Sequence, residues 1–134
     1  MTISETDCLT GYVLHTRKFQ ETSLLVEFFS RDEGRGSLLF KGIRRQQKKQ
    51  LSSRAELHLF RKLSVQRVSR GELAVAKVIE SLGDYVPLVG QAAVVGLYVN
   101  ELIYRLVGRF EAQSALFDAY DRLIRTLRVT PLDL

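Results

Sequence analysis

The side chains here that could do chemistry are mostly cationic. Residues 35–70 hold eleven basic side chains (Arg35, Lys41, Arg44, Arg45, Lys48, Lys49, Arg54, Arg61, Lys62, Arg67 and Arg70) against one acid, Glu56. That segment is +10 in a chain whose net charge is +5, so the remainder carries −5. Positive charge gathered on one stretch is the footprint of a polyanion binder. Between Gly42 and Ser53, Arg44, Arg45, Lys48 and Lys49 alternate with Gln46, Gln47 and Gln50, and only Ile43 and Leu51 are apolar. Such a segment has nothing to bury and predicts a mobile surface loop. From it Arg44, Arg45, Lys48, Lys49 and Arg54 can reach phosphates, with Lys41 and Arg35 flanking. Phosphate contacts give affinity without sequence reading. The plain alternative is a solvated loop that keeps the protein soluble.

Other chemistries find little support. His15 and His58 are the only histidines, and neither has a Ser/Asp or Cys partner at catalytic spacing. Both read as surface residues. Cys8 is the single cysteine, so no intrachain disulfide and no cysteine zinc cluster can be built. Glu21, Glu27, Asp32 and Glu33 read as surface or turn charges rather than a catalytic carboxylate pair. Gly34-Arg35-Gly36 lacks the lysine and following helix of a phosphate loop and reads as a turn. No catalytic residue, metal or cofactor is expected, and the chain does not read as an enzyme.

The elements that must position these residues come in two kinds. Tyr12 to Thr16, Thr22 to Ser30 and Gly36 to Lys41 are short apolar runs, the second ending at the turn Asp32-Glu33-Gly34. Leu57, Leu59, Leu63 and Val65 alternate with His58, Lys62, Ser64 and Gln66, which predicts a fourth strand. Leu73 to Ile79 is a fifth, after the turn Ser69-Arg70-Gly71. Beyond Pro87 the period changes. Val95, Val99, Leu102 and Leu106, widened by Tyr98, Ile103 and Val107, form a helix face ending near Gly108. Asn100 and Glu101 interrupt that run, either as hydrogen-bonding groups against the barrel or as a solvent-facing edge. A second helix starts near Ala115 with Ser114 as N-cap, and its face is Leu116, Tyr120, Leu123, Ile124 and Leu127. Glu101–Arg105, Asp118–Arg122 and Asp121–Arg125 are favourable i,i+4 pairs. Strands followed by helices make an α+β chain with the classes segregated, divided here at 1–82 and 83–134. The apolar stretch from Ala92 to Val107 is too short and too charged to span a bilayer, and the polar N-terminus is no signal peptide. A cytoplasmic location, with no membrane contact, is therefore expected.

The order of these segments resembles the bacterial DNA repair protein RecO family. Gly11-Tyr12-Val13-Leu14-His15, Glu21-Thr22-Ser23-Leu24-Leu25 and Phe29-Ser30-Arg31-Asp32-Glu33-Gly34-Arg35 are similar to its opening. Lys41-Gly42-Ile43-Arg44-Arg45 is similar to its lysine-glycine-x-arginine segment, and Arg70-Gly71-Glu72-Leu73 to the next hairpin. Gly96 to Leu102 and Leu116 to Tyr120 fit the first helices of its helical domain. The resemblance implies a five-stranded OB-fold barrel with the start of a helical domain, acting as a recombination mediator. It further implies binding of single- and double-stranded DNA, strand annealing, and RecA loading with RecR. Single-stranded-DNA-binding protein is the other implied partner, through the helical domain. The chain departs from the family where members continue into more helices, and where many carry a four-cysteine zinc site.

An OB barrel binds strands in a groove where bases stack on aromatic rings. Phe60 falls on the polar register of its strand and is expected to face outward as such a ring. Arg61 and Arg67 sit in the apolar register and are expected near a barrel end or groove. The competing function is a protein-interaction module, a partner or dimer platform whose basic loop is not a DNA site.

Overall fold

The computed structural model describes residues 7–43, 57–71, 73–83 and 87–129. Within them run β1 (Cys8–Phe19), β2 (Ser23–Ser30), β3 (Gly34–Phe40), β4 (Lys62–Arg67), β5 (Ala74–Ser81), α1 (Gly90–Leu106) and α2 (Ser114–Val129). The expected basic loop, with Arg44, Arg45, Lys48, Lys49 and Arg54, lies outside the described residues. No helix of the described residues is long and apolar enough to cross a membrane.

The strands close into a barrel in the order β1-β2-β3-β5-β4. β1 makes the closure possible because it serves two neighbours. Its first half, Cys8 to Tyr12, pairs with β4, and Gly11 to Phe19 pairs with β2, with a register shift between Val13 and His15. That double duty makes it longer than the run Tyr12 to Thr16 read from the sequence. β3 and β5 run parallel through Leu38↔Ala74 and Leu39↔Val75, while the other pairs are antiparallel. A five-stranded barrel with this order is the OB-fold that the resemblance implies.

Side-chain alternation fills the barrel and also seats the helices. Val13, Val26, Phe28, Leu38, Phe40, Leu63 and Val65 point inward and pack as one core. On the opposite faces of β1 and β2, Tyr12, Leu14 and Phe29 are buried too, under the helices. They join Ile103 of α1 and Phe117, Tyr120, Ile124 and Leu127 of α2 in a second core. Tyr12 meets Tyr120 edge-on at 5.1 Å, and Phe29 meets Phe117 at 5.4 Å. Each such buried aromatic side chain contributes about 1.5–3 kcal/mol through area alone, so this cluster ties the helices firmly to the sheet.

Four sequence readings differ from the structure. The fourth strand does not begin at Leu57. Phe60 adopts φ +68 and interrupts the extended backbone, so β4 starts at Lys62. The α1 stripe is narrower than read: Val95, Val99, Ile103 and Val107 pack on the core as expected, joined by Gly96 and Asn100, whereas Tyr98 is 65% and Leu106 77% exposed. A glycine and an amide seat the helix, and hydropathy cannot flag either. In α2, Phe117 is buried where Leu116 was expected. Asp118 pairs with Arg31 at 3.0 Å instead of Arg122, and that hydrogen bond holds its carboxyl below the usual value.

Candidate nucleic-acid interface

The outward side chains of β1, β2 and β3 form one continuous face. Register places Arg17 beside Leu25, His15 beside Glu27, and Glu27 beside Ser37. Tyr104 from α1, Arg109 from the α1–α2 linker and Leu73 near β5 complete a groove of about 540 Å³ over Arg17, Leu25, Glu27, Arg35 and Ser37. Three arginines against one carboxylate leave this groove positive.

Its geometry is fixed by a polar network. Glu27 accepts from the Arg35 guanidinium at 3.2 Å and from the Ser37 hydroxyl at 2.6 Å. Arg109 donates to Ser37 Oγ at 2.6 Å, and Arg35 Nε donates to the Val107 carbonyl at 3.0 Å. The linker itself is pinned to the edge of β3, where the Phe110 amide donates to the Arg35 carbonyl at 2.8 Å. Tyr104 carries the imidazole of His15 stacked at 5.6 Å and the Arg35 guanidinium 5.3 Å from its ring centre. Cation and ring faces in one groove are what strand backbones and unstacked bases require.

Arg35 is the one sequence-selected residue that enters the groove, and its side chain is only 13% exposed. It therefore acts as much by holding Glu27 and the linker as by its own charge. Lys41 is exposed just past β3, and Arg61 is half-buried ahead of β4. Arg67 lies at the barrel mouth, gripping Glu33 through both its terminal nitrogens at 2.9 and 2.7 Å. Phe60 is corrected outright. It is 6% exposed and packs against Gly96 of α1, with its carbonyl accepting from Arg128, so it is no outward stacking ring. The period-2 register fails for it because its backbone is left-handed rather than extended.

Linear charge also overstates the free positive surface. Lys62 lies 3.5 Å from Asp121, and Arg70 lies 2.5 Å from Asp7. Sequence reasoning missed Arg17, Arg109 and Tyr104. Arg17 was legible as an outward residue two positions beyond His15. Arg109 and Tyr104 reach β3 only through the tertiary fold. His15 and His58 are exposed, and Cys8 is a half-buried free thiol. Among the described residues, no group of three or more His, Cys, Asp or Glu side chains is placed to hold a metal ion.

Fold and groove together define an OB barrel with a cationic, aromatic-edged outer face. The chain belongs to the recombination protein O family: the family profile, Recombination protein O N terminal, matches residues 4–85. It is 38% identical over 128 residues to the DNA repair protein RecO of Dechloromonas aromatica, covering 96% of this chain and 52% of that protein. It is 36% identical over 118 residues to the DNA repair protein RecO of Psychromonas ingrahamii, covering 88% and 49%. The protein of that name from Aromatoleum aromaticum is 41% identical over 110 residues, covering 82% and 45%. The chain spans about half the length of the curated relatives it matches.

Proposed function

We propose that this chain is the DNA-binding part of a recombination mediator that acts in DNA repair and homologous recombination. It holds single- and double-stranded DNA, promotes annealing, and helps load RecA together with RecR. The observation that carries this is the arginine groove of Arg17, Arg35 and Arg109 on the outer face of an OB barrel. The sequence adds further cations in Arg44, Arg45, Lys48, Lys49 and Arg54, with Lys41 just before them in the chain. Two strands held on one positive surface repel each other less, which is the physical basis of annealing. No nucleophile, metal or cofactor is invoked.

The test is binding of a fluorescent single-stranded oligonucleotide over a salt series. We expect a steep log–log slope, reduced by roughly 0.7 for each phosphate contact removed. Arg17/Arg109→Glu and Arg44/Arg45/Lys48/Lys49→Glu should each flatten it and weaken binding. Flat, weak binding by the unaltered chain would reject the reading.

A second reading, a partner platform, is favoured by one observation. Val94, Leu97, Tyr98 and Leu106 leave an apolar stripe of α1 at least half exposed. Exposed apolar patches mark protein interfaces. RecR and single-stranded-DNA-binding protein are the partners to try. Retained RecR binding by a groove variant that has lost DNA would separate the two roles.

A further inference from the structure

One end of the barrel is not filled by side chains. β1 enters there with Leu9, β2 leaves with Phe28 and Ser30, and β3 begins with Gly34 and Gly36, which place nothing in the interior. A cavity of about 140 Å³ results. Its floor is apolar, made by Leu9, Phe28, Leu38 and Ala74, and its rim carries Arg67, Glu33 and Arg70. The Arg70 side chain is 68% exposed. Phe110 stands at the same rim, its ring over Gly36 and 58% exposed. Its backbone is left-handed at φ +59, which non-glycine residues adopt only under constraint, and such strain gathers at functional sites.

We propose that this barrel mouth is a pocket for one pyrimidine base of a bound single strand. The inference rests on the DNA-binding reading above and adds a site to it. Size is the first argument: an apolar cavity of roughly 150 Å³ takes one benzene-sized ring. A pyrimidine is one six-membered ring, and a purine is two fused rings. Charge is the second. Arg70, exposed at the rim, can turn from Asp7 to the phosphate of an inserted nucleotide, a single contact that adds little to overall affinity. The Arg67–Glu33 pair puts hydrogen-bond donors and acceptors side by side, to match the mixed edge of a pyrimidine. Continuity is the third. Ser37 lines both the arginine groove and the cavity, and the adjacent Arg109 and Phe110 line one each. A strand following the groove therefore passes the mouth.

The test is fluorescence anisotropy with the full chain, using oligothymidine, oligodeoxyadenosine of equal length, and oligothymidine carrying abasic positions. Thymidine should be preferred roughly tenfold, in line with the worth of one well-stacked base. That preference should persist at high salt, because ring insertion does not depend on counterion release. Ala74→Leu fills the floor and Phe110→Ala removes the rim ring. Each should abolish the preference and leave the salt slope unchanged. Circular dichroism checks that Ala74→Leu is folded. Phe110→Ala, on an exposed side chain, carries the test if it is not.

Equal affinity for the two homopolymers, or a preference kept by the folded variants, overturns the pocket and leaves the DNA reading standing. Absence of any DNA binding overturns both. An acidic aromatic peptide that binds at the mouth while thymidine shows no preference assigns the cavity to a protein partner and overturns the proposal.

Discussion

Asn100 is the one buried polar side chain of α1, and it ties its helix to two other elements. Its Nδ2 donates to the Leu14 carbonyl of β1 at 3.3 Å, and its Oδ1 accepts from the Tyr120 hydroxyl of α2 at 2.5 Å. Of the two sequence readings of this residue, the hydrogen-bonding one holds. Glu101, its neighbour, is exposed and pairs with Arg105. Tyr120→Phe leaves the amide oxygen buried without its donor, and should cost about 1–3 kcal/mol in urea unfolding. Asn100→Leu strands a carbonyl and a hydroxyl together and should cost more. The tyrosines also set a pH limit. Burial, then the hydrogen bond to Asp121, pushes the Tyr12 hydroxyl far above its usual range, and burial does the same for Tyr120. In the unfolded chain both ionise near pH 10. Above about that pH the unfolded state releases protons that the native state keeps, so stability is full below it and falls as pH rises further. Paired melts at neutral and strongly alkaline pH should show this fall, and a Tyr12→Phe/Tyr120→Phe double variant should show a shallower one.

Two glycines decide how the elements meet. A Cβ on Gly96 would lie 2.7 Å from the Phe60 ring, so α1 sits on the barrel only because that position has no side chain. Gly96→Val should loosen the helix at a cost of about 1–3 kcal/mol, read as a lowered melting temperature with the barrel's far-ultraviolet signature kept. Gly34 has φ +73, and a Cβ there would lie 1.9 Å from the Glu111 carbonyl oxygen. Gly34→Ala should therefore push the linker off β3 and weaken DNA binding together with stability. These contacts explain what the sequence could and could not tell. β2, β3 and β5 were readable within two residues at each end, because each is a short apolar run bounded by turn residues, and in β2 and β3 the run stays apolar even where both faces are buried. β1 was cut short because helices cover its second face, so Tyr12, Val13 and Leu14 are all buried and the alternation vanishes. Around Leu57 and Phe60 the alternation was real in the sequence but belonged to a turn. The candidate site was legible as charge, through Arg35, but not as shape. Its other walls come from Tyr104 and Arg109, some seventy residues further along the chain.

Across the whole molecule the basic segment and the acidic remainder interleave. Arg35, Lys62, Arg67 and Arg70 each face an acid from outside their own stretch: Glu27, Asp121, Glu33 and Asp7. The groove's charge is therefore local, and DNA affinity should respond to Arg17 and Arg109 far more than to the paired Arg70. The apolar stripe of α1 belongs to a different surface. Val94, Tyr98, Leu102 and Leu106 follow one another at four-residue spacing, exposed by 65%, 65%, 38% and 77%, while the groove takes only Tyr104 from this helix. Two separable surfaces predict a double dissociation. Leu97→Lys with Leu106→Lys removes exposed apolar area that contributes little to the fold, so stability should move by no more than about 0.5 kcal/mol. Concentration-dependent association in sedimentation velocity should fall, and so should binding of RecR if RecR uses this helix. The salt slope for single-stranded DNA should stay unchanged. Arg17/Arg109→Glu should give the converse result, with DNA binding lost and association kept. Loss of DNA binding in the helix variant would mean that strand and partner share one surface, and that α1, rather than the β1–β3 face alone, is part of the nucleic-acid site.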